Sequence, residues 1–277
     1  GVSPWIHGAI DPELGMVYLA FGNVRSCRSS QDGELRPGEN LFGNTLVALD
    51  SKTGTIKWHY QSIRHDVWDM DNTHAPLLAD VPINGQQRKA LYYGSKSGIT
   101  FVLDRTNGQP LLGVNDDPMT QDSRQKNWPT QRFPSQGGWI PRCLVWQALD
   151  PNNVPGDPWR AVPNYNGYQP DANGQLVYTE PNYLDADKPF LTIPAEYGAT
   201  HRKGCMYDTH WDLPVLSTTS QNGGMDWSAY SFSPRLNTLF IPYAINPVAH
   251  WRQAGGNGQR AIGQYQTGGI AALDAST

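Results

Sequence analysis

Three stretches of the chain hold residues whose types could do chemistry. The first is Trp58-His59-Tyr60-Gln61-Ser62-Ile63-Arg64-His65-Asp66-Val67-Trp68-Asp69-Met70-Asp71, which crowds carboxylates, histidine and tryptophan directly after a strand-like run. The second is Tyr92-Tyr93-Gly94-Ser95-Lys96-Ser97-Gly98-Ile99-Thr100-Phe101-Val102-Leu103-Asp104-Arg105, which sets a lysine in a Gly/Ser turn between two strands. The third, Val17-Tyr18-Leu19-Ala20-Phe21-Gly22-Asn23, ends a strand on an asparagine. Carboxylates and amide oxygens can accept a proton or ligate a hard cation, and a fixed ammonium stabilises developing negative charge. Taken singly, each residue also has an ordinary explanation. Asp69 and Asp71 could be solvated turn carboxylates, Lys96 a solvent-facing hairpin residue, and Asn23 a turn residue tolerant of positive φ. His65 and Asp66 read as structural, holding their loop through hydrogen bonds.

The elements that would position these residues are short strands. Charged residues make up 17% of the 277, whereas there are 28 Gly, 22 Pro and 10 Trp, a balance that disfavours long amphipathic helices and suits many turns. Ala48-Leu49-Asp50-Ser51-Lys52-Thr53-Gly54-Thr55-Ile56-Lys57-Trp58 reads as strand, tight turn and strand; Val102–Gly108 repeats its first half, and Ala272-Leu273-Asp274-Ala275-Ser276-Thr277 repeats it again. Asp11–Ala20 resembles Ser233–Pro242, a polar turn leading into a strand, and an Ala-Leu-Asp hairpin follows each copy after a polar insertion. That order is what one propeller blade requires, and a lone blade cannot bury both faces. Most tryptophans are expected to pack between blades, Trp58 most clearly. Arg105 is expected to form a local ion pair with Asp104.

Other signals bound the function. The net charge of −4 gives no footprint for nucleic acid, and no apolar run approaches the roughly 18 residues that span a bilayer. Cys27, Cys143 and Cys205 form no Cys-x-x-Cys pair, so neither a zinc ribbon nor a covalently attached c-type haem is encoded in this chain. A Cys143–Cys205 disulfide and three isolated thiols are both open. His201 and His210 lack ligand spacing. The stretch from about 113 to 212, rich in Pro, Asn and Trp, reads as a packed excursion from the blades.

The motif Trp58-x-Tyr60-Gln61-x-x-x-His65-Asp66-x-Trp68-Asp69-x-Asp71, the Asn84-Gly85 pair, Lys96-x-Gly98-x-x-x-Val102-Leu103-Asp104-Arg105-x-x-Gly108 and Val17-Tyr18-x-Ala20-x-Gly22-Asn23 together resemble the pyrroloquinoline-quinone (PQQ) dependent alcohol, methanol and membrane-bound glucose dehydrogenases. The likeness is dense from about residue 9 to 112 and resumes at Trp227-Ser228-Ala229-Tyr230-Ser231-Phe232-Ser233-Pro234 and Gly268–Asp274. It implies an all-β fold, a propeller of about eight four-stranded blades. This chain would supply about half of that single domain, as a piece of a longer protein with a loop insertion near 113–212.

Roles for single residues follow from the same resemblance. Asp69 matches the base that accepts the substrate hydroxyl proton, and Lys96 the cation that hydrogen-bonds the quinone oxygens. Asn23, with Asp69 and Asp71, matches the ligands of a metal that is normally calcium. An Asp at position 71 accompanies lanthanide in methanol dehydrogenases but occurs without that preference in glucose dehydrogenases, so both metals stay open. Trp227 matches a tryptophan beside the cofactor, and Asp226 stands where the alcohol branch usually has Asn. The expected function is oxidation of an alcohol, polyol or sugar, with electrons passing to an acceptor such as a cytochrome c or ubiquinone, in the periplasm. A cofactor-free propeller scaffold and a dehydrogenase whose site has degenerated are the alternatives.

Overall fold

In a computed structural model the structure describes residues 1–4, 6–24, 33, 36–135, 206–210, 219, 223–244 and 268–277 in full. It describes the backbone alone of strand segments between 168 and 189 and at 202–203, 215–217, 245, 248–253, 256–261 and 267. Cys27, Cys143, Cys205 and His201 lie outside the described residues. Every regular helix or strand among them is a strand.

The first sheet is β1 (Ala9–Asp11), β2 (Met16–Ala20), β3 (Thr45–Asp50) and β4 (Ile56–Gln61), paired antiparallel in that order. In β4, Trp58 and Tyr60 are buried while Lys57 and His59 are exposed, the period-two alternation that lets a strand seal one face. The second sheet is β5 (Leu77–Ile83), β6 (Gln86–Gly94) and β7 (Thr100–Asp104), and the third contains strands Ser231–Ser233, Thr238–Ile245 and Thr267–Asp274. The sequence repeats recur as register. Met16 faces Asp50 and Val17 faces Leu49; Thr238 faces Asp274 and Leu239 faces Leu273; Ala90 faces Asp104 and Leu91 faces Leu103. The aspartate of each hairpin turns the chain in the same way, its Oδ1 accepting the amide two residues on: Lys52 at 3.0 Å, Thr106 at 2.9 Å and Ser276 at 2.8 Å.

Among the described residues, four strands make up the first sheet and also the sheet of Arg202–Lys203, Val215–Ser217, Val248–Gln253 and Gly256–Ala261, whereas the second and third sheets have three. In the second, the fourth position is a single bridge between Leu103 and Pro110, flanked by the Asp104 N–H donating to the Gln109 carbonyl at 2.7 Å and the Leu111 N–H donating to the Val102 carbonyl at 2.8 Å. The chain then departs into a separate hairpin of β8 (Val114–Pro118) and β9 (Thr130–Pro134).

The middle sheet is buried on both faces. Leu91 and Tyr93 of β6 join Tyr18, Leu46, Trp58 and Tyr60 of the first sheet, while Ala90 and Tyr92 join Leu239 and Ile241 of the third. Each large side chain so enclosed contributes about 1.5–3 kcal/mol. Trp58 packs between sheets as its position in the hairpin implied. Its indole N–H donates to the Arg105 carbonyl at 3.2 Å, and a Cβ at Gly108 would lie 2.5 Å from the ring. Arg105 departs from expectation: Asp104 pairs with Arg88 at 3.0 Å, and Arg105 reaches Asp11 at 2.7 Å and Asp80 at 2.6 Å. The buried guanidinium thus cross-links two sheets, since it must find anions where water is excluded. Arg105→Met should lower the unfolding free energy of the full-length protein by about 3 kcal/mol, because the buried Asp11 carboxylate loses its partner. The denaturation midpoint measures this.

Candidate active site

β2 and β4 flank β3 and run in the same direction, so their C-terminal ends fall at one edge of the first sheet. The loop carrying Asn23 leaves β2 there and the loop carrying Asp69 and Asp71 leaves β4. Lys96 sits in the turn after β6, and the four residues meet. Lys96 Nζ lies 2.6 Å from Asp71 Oδ2 and 3.6 Å from Asp69 Oδ2. The Asn23 amide nitrogen donates to Asp69 Oδ1 at 2.7 Å, and the Asn23 backbone N–H donates to Asp71 Oδ1 at 2.6 Å. Lys96 is therefore no solvent-facing turn residue. Its side chain is 3% exposed and that of Asp71 0%, while Asp69 retains 13%.

The local chain explains the placement. Asp69 has φ +66°, a left-handed conformation that aspartate tolerates better than most residues. The turn around it is held by Asp66, whose carboxylate accepts the Trp68 and Met70 amides at 2.8 Å each and the Asn44 amide at 2.7 Å. Burial, and then the charge of Asp71, pushes the Asp66 carboxyl above the ordinary carboxylate range. His65 is a brace, as read from the sequence: its ring nitrogens lie 2.6 Å from the Gly38 carbonyl and 3.2 Å from that of Gly33. On the other side, Lys96 is fixed through its backbone, accepted by the Asp71 carbonyl at 3.1 Å. Gly224, at φ +65°, packs so tightly on this turn that a Cβ would lie 2.3 Å from the Lys96 carbonyl oxygen. That contact delivers Asp226 to the cluster.

Asp226 is pushed up to about 6, chiefly by burial, with Lys96 pulling it down and Asp71 and Asp69 pushing it up. Its Oδ1 is buried without a hydrogen-bond partner. Trp227 follows at φ +64° and stands at the rim, 68% exposed.

Asn23 supplies the test of the metal expectation. Asp69 can only accept, so the Asn23 NH2 faces it and Asn23 Oδ1 is left buried with no partner, an arrangement costing about 1–3 kcal/mol. Among the described residues no group of three or more His, Cys, Asp or Glu is arranged for a metal. Two carboxylates and one orphaned amide oxygen fit an oxygen-ligated cation as a partial ligand set.

His74 was not singled out in the sequence. It is buried three residues past Asp71, and its Nε2 accepts the Tyr230 amide at 2.9 Å, which requires an unprotonated nitrogen. Burial lowers it from 6.5 to about 4. The fold binds the neutral ring, so its contribution is complete above about pH 6.5 and is lost as pH falls towards 4, at up to about 1.4 kcal/mol per pH unit. His74→Gln, which keeps an acceptor but cannot titrate, should flatten that part of the stability–pH curve.

Stacked antiparallel sheets with a repeated Asp hairpin, and a polar site gathered at their strand ends, are what the blades of a β-propeller present. Residues 1–220 match the model of the PQQ glucose/ethanol/alcohol dehydrogenase β-propeller domain, and the chain belongs to that family. It is 40% identical over 255 residues to a quinohemoprotein alcohol dehydrogenase of Comamonas testosteroni, covering 90% of this chain and 32% of that one. It is 30% identical over 252 residues to the glycerol dehydrogenase large subunit of Gluconobacter oxydans (strain 621H), covering 88% and 29%. A europium-containing methanol dehydrogenase superimposes with TM-score 0.56 at 18% identity, covering 96% of this chain and 36% of that one. The chain thus spans about a third of the length of these relatives.

Proposed function

We propose that the protein containing this chain is a PQQ-dependent dehydrogenase acting on the hydroxyl of an alcohol, polyol or sugar. The observation that carries this reading is the Asp69–Lys96–Asp71–Asn23 cluster, in which Asp69 alone keeps access to solvent. Bound PQQ would supply the hydride acceptor, and a metal beside it a Lewis acid. Asn23, Asp69 and Asp71 would hold that metal, calcium in the first instance and a lanthanide as the alternative. Lys96, Asp226 and Trp227 would face the cofactor. Asp69 takes the proton of the substrate hydroxyl as the carbon loses hydride, so the C–O bond becomes a carbonyl and one proton rests on the carboxylate. Lys96, fixed by Asp71, holds its positive charge where negative charge develops. Electrons would leave to a cytochrome c or ubiquinone in the periplasm.

The test uses full-length apo-protein titrated with PQQ in calcium or a light lanthanide, then assayed with a dye acceptor on alcohols and sugars. PQQ binding and turnover with one of the metals is expected. Failure of PQQ to bind with either metal would replace the enzyme by a propeller scaffold.

A further inference from the structure

Two residues of the loop entering the site sit in the left-handed region, His65 at φ +45° and Asp69 at φ +66°. Non-glycine residues held there are strained and persist only when their surroundings over-determine them. Each is preceded by a residue gripped by the inserted segment. Before His65, the backbone of Arg64 is bound on both sides by one side chain: its N–H donates to Gln131 Oε1 at 2.9 Å, and its carbonyl accepts from Gln131 Nε2 at 2.6 Å. The amide of Gln131, fully buried in β9, thereby does the work of a paired strand. The Arg64 guanidinium adds bonds to Thr130 at 2.8 Å and Asp116 at 2.9 Å, and Arg132 donates to the Gln61 carbonyl at 2.8 Å.

Before Asp69, the indole N–H of Trp68 donates to the Asp208 carbonyl at 2.9 Å, and its ring lies 5.0 Å from that of Tyr207. The stretch holding Asp208 is itself tied to the loop between β8 and β9. Gln125 Oε1 accepts the His210 amide at 2.8 Å, and Thr120 Oγ1 accepts the Thr209 amide at 3.0 Å. The described parts of the insertion therefore reach the site loop at two points, each one residue ahead of a strained position.

We propose that the inserted segment is a strap that holds Asp69 in its left-handed conformation beside Lys96, with Gln131 and Trp68 as positioning residues for the Asp69 carboxylate. This rests on Asp69 being the base. The segment read from the sequence as a packed excursion thereby takes part in positioning the base. A misplacement of about 1 Å in a catalytic group can cost about a hundredfold in rate.

The test compares Gln131→Met, which keeps size and loses both bonds, with Trp68→Phe, which keeps a ring and loses the donor, in the full-length protein. Amide hydrogen exchange at Trp68 and Met70 should accelerate about tenfold or more while β2 and β3 keep their protection. In the PQQ- and metal-loaded protein, kcat should fall about tenfold to a hundredfold with the substrate KM nearly unchanged. Parallel loss of protection in β2 and β3, or unchanged exchange at Trp68 and Met70 in both variants, overturns the strap. Normal kcat despite faster local exchange overturns the positioning role. The exchange measurement is independent of turnover, so a wild-type protein with no activity would remove the dehydrogenase reading and leave the strap to be judged on exchange alone.

Discussion

Asp69→Asn is expected to abolish turnover, with kcat falling by about 10²–10⁴ at saturating metal, the range a general base contributes. The substitution is nearly isosteric, and asparagine adopts the left-handed conformation of φ +66° at least as readily as aspartate. The amide oxygen it introduces can still accept from Asn23 Nδ2, which now donates to Asp69 Oδ1 at 2.7 Å. Backbone and the Asn23 hydrogen bond are therefore kept, and what disappears is the negative charge of the basic oxygen, 3.6 Å from Lys96 Nζ. PQQ binding and the melting temperature, measured beside steady-state kinetics, should stay close to wild type. Turnover within a few-fold of wild type would take the base away from Asp69.

Lys96→Met is expected to cost about 3–5 kcal/mol of stability in the metal-free protein, the usual consequence of stripping one partner from a buried ion pair. Asp71 is completely enclosed, and among the described residues its charge is met by Lys96 Nζ at 2.6 Å and the Asn23 amide at 2.6 Å. Without the ammonium, that carboxylate is left in a low-dielectric site without its cationic partner. The double variant Lys96→Met/Asp71→Asn should regain most of the loss, because the uncompensated charge goes with its partner. Calcium should raise the denaturation midpoint of Lys96→Met more than that of the wild type, since a cation binding only the folded state stabilises it by mass action. A loss below about 1 kcal/mol in the single variant would mean that water reaches Asp71.

Much of the frame was legible in the amino-acid sequence. The Leu-Asp hairpins recur at Asp50, Asp104 and Asp274 with the same side-chain-to-amide bond, because short-range turn chemistry depends on residues two or three apart. The place of Trp58 after the Ala-Leu-Asp hairpin marked it as a packing residue, and it is buried in β4. Local rules failed where the partner is distant. The ion pair of Arg105 lies with Asp11 and Asp80, 94 and 25 residues away, and its sequence neighbour Asp104 gave no hint of it.

The amino-acid sequence by itself determined the repeated hairpins and the residue types that could serve a cofactor, because these follow from local turn propensity and from a repeat read against itself. Only the tertiary structure decided which carboxylate is spent and which is available. Asp69 and Asp71 are both acids two residues apart, and stacking the second sheet on the first drives Lys96 against Asp71 and leaves Asp69 at the surface of the site. The reach of the insertion was likewise a tertiary matter, since Gln131 meets Arg64 across 67 residues. Charge compensation and backbone satisfaction in a buried site depend on what is close in space, and sequence spacing carries little of that information.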